Sequence, residues 1–405
     1  MTTPTTQTPQ SAPVPGELFG YPGQTVPLFS PDSAAQGLAF NYSATGAQVI
    51  PGVQAMQKTD VVTGWTIGMD ITQSVAVGTG VLPSVSPNSV YHTLQNIELN
   101  AGTGFTLVNV ATGTDLDAIN RMHPMVKPRV APNDKRAVNT NYSNALIGQA
   151  ATTDAGVNGM LYLDLPASIV FDSYIDISPQ GTPMSNGYKA IVSPQFMSGA
   201  RVMQAQLTTA PIVGSNGENS PLYGSTTGLV MSGSGSLTLY RRGYYGSNQL
   251  FLPTIKSWQR QIKSMIVPIG SGVDVPPIPL PQIGQIGGAV VRLVDPGAAN
   301  SIGPSISQAK LSISSGFTLF NSKDIDLLSY INFLNQDEIN GAGTNQVQFD
   351  LWTDEFGQLT NRYSVNTITT TNAIIDLVLA SSGSSSTYAV ITYDALVPQT
   401  LSPLN

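Results

Sequence analysis

The chain has 405 residues, 41% of them hydrophobic and only 10% charged, with 24 acids against 17 lysines and arginines and a net charge of −7. That length means two or three domains with real cores. So little charge leaves Ser, Thr, Asn, Gln and Gly to wet the surface, as in a protein packed against copies of itself or in a secreted β-rich one. The acidic balance argues against general nucleic-acid binding, and a chain without cysteine has no disulfide, thiolate metal site or cysteine nucleophile.

The opening MTTPTTQTPQSAPVPGELFG has neither a basic start nor an apolar stretch, so it does not read as a secretory signal. An unprocessed cytoplasmic product, later built into something larger, is expected. No run of about 18 apolar residues predicts a membrane-spanning helix. Residues 1–31 hold seven prolines and one charged side chain, Glu17. Proline fixes φ and removes a donor, so residues 1–57 are expected to form an extended arm, free or clamped onto a neighbouring subunit.

Period-two patterning then dominates. Trp65, Ile67, Met69 and Ile71 alternate with Thr66, Gly68 and Asp70; Leu161, Leu163 and Leu165 with Tyr162 and Asp164; Met203, Ala205 and Leu207 with Gln204 and Gln206. Further on, Leu311, Ile313, Phe317 and Leu319 share one face, as do Val347, Phe349 and Leu351, then Ile375, Leu377 and Leu379, and the strand YAVITYDAL closes the series. Two segments predict helix. In GTDLDAINRM, Thr114 is the expected N-cap with Asp115 and Asp117 in the first turn. In NSKDIDLLSYINFLNQ, Asn321 or Ser322 caps a stripe of Leu327, Leu328, Ile331 and Leu334.

The turn-rich stretch PIVGSNGENSPLYGSTTG divides the chain into a first domain, 58–212, a linker, 213–228, and a second domain, 229–405. Each part has a run of strands and one capped helix, without a sequence repeat. The prolines of VDVPPIPLPQI predict a rigid, exposed loop. Many short strands with little helix give an all-β sandwich or barrel class.

The chemical motifs are mostly missing. His92 and His123 have no His or Cys partner at metal-ligand spacing. HExxH, the phosphate-cradling GxxxxGK[ST] and the GxSxG elbow do not occur. The late carboxylates Asp337, Glu338, Asp350, Asp354, Glu355 and Asp376 suggest a solvated turn, a calcium site or, least of all, a glycosidase pair. No catalytic residue, metal ligand or cofactor is assigned. Charge is unevenly spread. Arg121, Lys127, Arg129, Lys135 and Arg136 form one basic group, and Arg241, Arg242, Lys256, Arg260 and Lys263 another. Residues 323–394 carry nine acids against two bases. Such segments suit charged assembly contacts, or a face toward anionic lipid at about 1 kcal/mol per basic residue.

The order of segments GWTIGMDITQSVAV, NSVYHTLQNIELNAGTGFTLVNV, GTDLDAINRM, GMLYLDLPASIVFD and GYKAIVSPQFMSGARVMQAQLTTA, followed by GSLTLYRRGYYGSNQLFLPTIKSW and NAIIDLVLASSGSSSTYAVITYDAL, resembles the major capsid proteins of tectivirus-like, membrane-containing icosahedral viruses. The resemblance spans about residues 60 to 400 and departs at the Pro/Thr-rich start, where tectivirus proteins tend to a helical, Gln- and Ala-rich segment. It implies two tandem eight-stranded jelly-roll sandwiches with a few short helices, a double jelly roll. It implies a non-enzymatic virion protein, made in the host cytoplasm and assembled as pseudo-hexagonal homotrimers that tile an icosahedral shell over an internal lipid membrane. The partners would be the chain itself, neighbouring trimers, minor capsid and penton proteins and possible viral lipid, with no specific nucleic-acid contact. Residues 123–157 and 270–308 are expected as long loops for the outer surface or trimer contacts. The rivals are a secreted adhesin or surface-layer sandwich, a bacteriophage spike protein, and a β-rich glycoside hydrolase using Asp350 and Glu355 with Trp65, Trp258 or Trp352 as sugar platforms.

Overall fold

A computed structural model describes residues 30–31, 38–42, 49–55, 61–77, 94–101, 106–122, 147–150, 159–164, 167–172, 202–209, 229–244, 258–298, 302–313, 317–322, 345–351, 365–368 and 372–398. Among them, strands dominate and one helix occurs. The first part comprises β1 (Ser30–Pro31), β2 (Leu38–Tyr42), β3 (Val49–Ala55), β4 (Val61–Val77), β5 (Leu94–Ala101), β6 (Thr106–Thr112), helix α1 (Gly113–Met122), β7 (Ile147–Ala150), β8 (Gly159–Asp164), β9 (Ala167–Asp172), β10 (Val202–Thr209) and β11 (Leu229–Tyr244). The second part comprises β12 (Trp258–Pro268), β13 (Ile278–Pro279), β14 (Gln285–Val294), β15 (Ile306–Ile313), β16 (Phe317–Ser322), β17 (Gln346–Asp350), β18 (Val365–Asn366), β19 (Ala373–Leu379) and β20 (Tyr388–Pro398).

In the second part the strands wind as a jelly roll. One sheet runs β17-β14-β20-β12 and its counterpart runs β13-β19-β15-β16. Leaving aside the short β18, the eight strands are thus ordered 6-3-8-1 and 2-7-4-5, the double Greek key of a jelly roll. The inward faces meet in one core: Val291, Leu293, Phe349, Ile391 and Tyr393 from the first sheet, Ile278, Leu311, Ile375, Leu377 and Leu379 from the second. Phe320 and Phe349 meet edge to face across it, with ring centroids 5.7 Å apart. The strict alternation of β19 reflects burial of one face, whereas β14 and β20 are buried along nearly their whole length.

Three expectations change here. Leu311, Ile313, Phe317 and Leu319 do not lie on one strand. They belong to β15 and β16, an antiparallel pair with Leu311 opposite Phe320 and Ile313 opposite Phe317. A period-two pattern survives a hairpin because both arms bury the same face. The proline-rich segment has its exposed prolines as expected, but it includes a paired strand and is not simply a loop. β13 is the edge strand of its sheet, paired with β19, and it buries Val275, Ile278 and Leu280 around it while Pro276, Pro277 and Pro279 face outward. Finally, 270–308 is not one long loop: it holds β13, the central β14 (QIGGAVVRLV) and the start of β15. β14 lacks alternation because both of its faces are covered.

In the first part, a seven-stranded sheet runs β1-β11-β4-β8-β7, with β2 also on β11 and β9 on β4. Within the expected arm, β1, β2 and β3 are strands of this chain's own sheets, paired with β11 and β10. β11 lies beyond the expected linker at 213–228, yet it pairs with β4 through its full length. Residues 123–146 and the predicted helix after Ser322 lie outside the described residues, as do His92 and His123.

Strands β3, β10, β5 and β6 do not close a separate sheet. They continue into the second part through a parallel pairing of β6 with β12, with Ile262 beside Val108 and Lys263 beside Asn109. The result is a single nine-stranded sheet. Partners in register point to the same side, so two rows can be followed across it. Leu99, Val108 and Ile262 line up with Asp394; Glu98, Asn109 and Lys263 line up with Tyr393, Ala289 and Phe349. The first row is apolar and buried in the first part, while the second row becomes apolar only in the second part. One sheet therefore gives opposite faces to two cores.

Candidate functional site

The reversal of faces leaves the back of β12, β20, β14 and β17 buried against the first part of the chain. The side chains there are Arg260, Ile262, Val390, Thr392, Asp394, Val290 and Gln348, and each is at most 3% exposed. Polar groups at that depth need partners. Arg260 and Asp394 supply each other's. Arg260 Nε donates to Asp394 Oδ1 and Oδ2 at 2.9 and 3.1 Å, and Nη2 donates to Oδ2 at 2.6 Å, a bidentate fork between β12 and β20. Ser264 Oγ lies 2.7 Å from Thr392 Oγ1 and accepts from the amide of Ala111 at 3.2 Å, which ties β6 to β12 where their parallel pairing ends.

Helix α1 lies over this back face, contacting β14 and β20 of the second part and β5, β6 and β9 of the first. Its cap is Thr112, two residues earlier than expected. Thr112 Oγ1 accepts from the Asp115 amide at 3.3 Å and donates to Asp115 Oδ2 at 2.7 Å. The sequence Thr-Gly-Thr-Asp offers two hydroxyls, and the start of the helix at Gly113 selects the first. Asp115, 1% exposed, then accepts from Arg292 of β14: Nε to Oδ1 at 2.8 Å and Nη2 to Oδ2 at 2.9 Å. Burial by itself would lower the Arg292 guanidinium, but the Asp115 charge and its hydrogen bonds outweigh it and hold the group above the ordinary arginine value. Tyr388 stands near both, and burial pushes its hydroxyl up. A capped helix from one part of the chain is thus clamped by two charged hydrogen bonds to the central sheet of the other.

The sequence-predicted contacts fare unequally. Arg260 is an internal ion-pair member with no exposed surface, so it presents nothing outward. Lys263 is half-buried on β12, on the side opposite Arg260. Arg121 lies on α1, and Arg241 and Arg242 on β11 opposite Trp65 and Gly64. Lys127, Arg129, Lys135, Arg136 and Lys256 lie outside the described residues. Asp350 ends β17 and Asp376 lies on β19 in the facing sheet, where it meets Lys310 at 3.9 Å on the surface. Asp337, Glu338, Asp354, Glu355 and Trp352 lie outside the described residues, and among the described ones no cluster of three or more metal-ligating side chains occurs.

The sequence reading missed Asp115 as an inter-part contact, and also Arg292 and Asp394. A signal was present: QIGGAVVRLV and YAVITYDAL each carry one charge inside an apolar run, and a lone charge in a buried strand demands a partner. Nothing local names that partner.

Compared with solved structures, the chain is similar to one in the atomic structure of Sulfolobus Turreted Icosahedral Virus (13% identity, TM-score 0.53, 90% of each chain covered). It is also similar to the Faustovirus major capsid protein (8% identity, TM-score 0.52, 92% of this chain and 90% of that one). A third likeness is to the STIV MCP (12% identity, TM-score 0.51, 90% of this chain and 96% of that one). The fold is a double jelly roll. At these identities the likeness is one of fold, and no family model and no curated protein matches the sequence. In this double jelly roll the Asp115–Arg292 clamp and the β6–β12 seam are where roll meets roll, and they make the two sandwiches one body.

Proposed function

We propose that the chain is the major capsid protein of an icosahedral virus. It would associate as homotrimers whose six rolls make pseudo-hexagonal tiles, laid over an internal lipid membrane. The observation that carries this reading is the double jelly roll itself, matched over nine-tenths of the chain and of a major capsid protein of the same fold. The welding of the two rolls through one sheet supports it, because a tile needs a fixed angle between its sandwiches. Function in such a protein lies in shape and edge complementarity, so no side chain has to do chemistry. Its place would be the virion after synthesis in the host cytoplasm, its partners further copies, minor capsid and penton proteins and the viral lipid. In this reading the N-terminal arm is anchored on its own chain by β1, β2 and β3, and the rolls divide after β11, whose pairing with β4 supports counting it with the first. The outward contacts would be the basic residues of α1, β11 and the segments beside them, together with Lys263.

The test is the solution mass by size-exclusion chromatography with light scattering. A tight species at three times the 42.6 kDa chain mass, about 128 kDa, is expected, because permanent interfaces of this type resist dilution. A stable monomer at all concentrations would overturn the reading, and glycan binding and hydrolysis would be measured next.

A further inference from the structure

The face of the nine-stranded sheet that carries Lys263 changes character along a single row. Toward β20 it enters the second core at Tyr393, Ala289 and Phe349. Toward β6 and β5 it emerges as Asn109, which is exposed, and Glu98, which is half-buried and holds the amide of Asn100. Lys263 stands at the change of character. It shares its side of β12 with Met265 and Val267, which pack on the core. Among the described residues no carboxylate pairs with it. Glu98 lies in the same row two strands away, and its carboxylate accepts from the Asn100 side-chain amide. By contrast, Arg260, Arg292 and Lys310 each have a carboxylate partner. Burial without a counter-charge pushes the Lys263 ammonium down from its ordinary value.

The facing sheet stops at β13, and its edge is closed to pairing. Pro277, Pro279 and Pro281 alternate with the residues whose amides serve the sheet, such as Leu280, which donates to Ala373. Proline has no N–H to offer an added strand. A molecule docking beside this edge is therefore held by side chains and not by strand addition.

We propose that the strip formed by Asn100, Asn109 and Lys263, bounded by the proline edge of β13, is a contact surface for a second copy of this chain, and that Lys263 receives a carboxylate from it. The occupant follows from charge. A half-buried cation with no counter-ion among the described residues would face copies of a chain with 24 acids and 17 bases. Burying the pair between copies would supply a counter-charge that the described residues do not. This inference rests on the self-assembly reading and names one surface for it.

The test is a dilution series by light scattering on wild type, Lys263→Met and Lys263→Arg, with Lys310→Met as a control for loss of a surface charge. Lys263→Met is expected to raise the half-dissociation concentration about tenfold or more, while Lys263→Arg and Lys310→Met stay within about threefold. Circular dichroism reports whether the variants fold. Independently of any variant, lysine acylation of wild type read by mass spectrometry is expected to label Lys263 more slowly in concentrated than in diluted protein, relative to Lys310. A wild-type oligomer with unchanged Lys263→Met dissociation and equal labelling sinks this surface and leaves self-assembly standing. A wild type that is monomeric throughout sinks both. If Lys263→Met does not fold, the labelling ratio decides.

Discussion

Removing the Asp115 carboxylate should loosen the junction between the rolls, and the size of the effect can be worked from its surroundings. In Asp115→Ala the Arg292 guanidinium, 12% exposed, loses two charged hydrogen bonds of 2.8 and 2.9 Å and, among the described residues, keeps a long 3.4 Å contact to Thr112. The Thr112 hydroxyl loses its acceptor but still caps the amide of residue 115. Stripping one partner from a buried ion pair costs about 3–5 kcal/mol, because the other charge is left without compensation. Arg292→Met should cost less than that. It strands Asp115, but the Thr112 hydroxyl and the positive end of α1 still stabilise the carboxylate. The double variant Asp115→Ala/Arg292→Met should then be nearer to wild type than the sum of the singles, by a coupling of roughly 2–3 kcal/mol. The assay is urea denaturation of the four proteins followed by circular dichroism at one fixed protein concentration, since association adds to apparent stability. Additive single effects, within about 0.5 kcal/mol, would refute the clamp. So would a cost below about 1 kcal/mol for Asp115→Ala, the range of exposed pairs.

Other consequences can be measured separately. Gly284→Ala should destabilise by about 1–3 kcal/mol in the same assay, since a Cβ there runs into the Leu396 carbonyl oxygen of β20, backbone that cannot rotate away; unchanged stability would mean the strand ends shift freely. Partial burial would raise the Asp295 carboxyl, but donors from Ser384, Gly297 and Thr387 outweigh it and hold it below its ordinary 3.8. A depressed carboxyl stabilises above its unfolded value and loses that contribution as pH falls through the folded one. The protection of the amides in residues 384–387, taken relative to their intrinsic exchange at each pH, should therefore fall as pH drops below about 4, and Asp295→Asn should abolish that pH dependence. Burial pushes the Tyr393 hydroxyl up to about 12 from 10.0, so its contribution is present below pH 10 and is lost as pH rises toward 12. Tyr393→Phe should flatten the loss of thermal stability in that window, and an ultraviolet titration in which every tyrosine ionises near 10 would contradict the burial.

The sequence alone was sufficient for the strand-rich class and for elements with one covered face. In AIIDLVL the buried Ile375, Leu377 and Leu379 alternate with half-buried Ile374, Asp376 and Val378, because β19 has a core on one side only. Helix α1 was likewise legible in its acidic first turn, though not to the residue that caps it. Period is a local property, so a chain of twenty residues displays it. What only the tertiary structure decided is pairing. Arg260 reads as one more surface base until Asp394, 134 residues later, is laid beside it on β20, and Asp115 meets Arg292 across 177 residues. β14 hid from period-two counting for the same reason: its second face is covered by the other roll, so neither face needed polar residues. Burial on both sides and the partner of a buried charge depend on which distant strand arrives next, and no local pattern of residues encodes that.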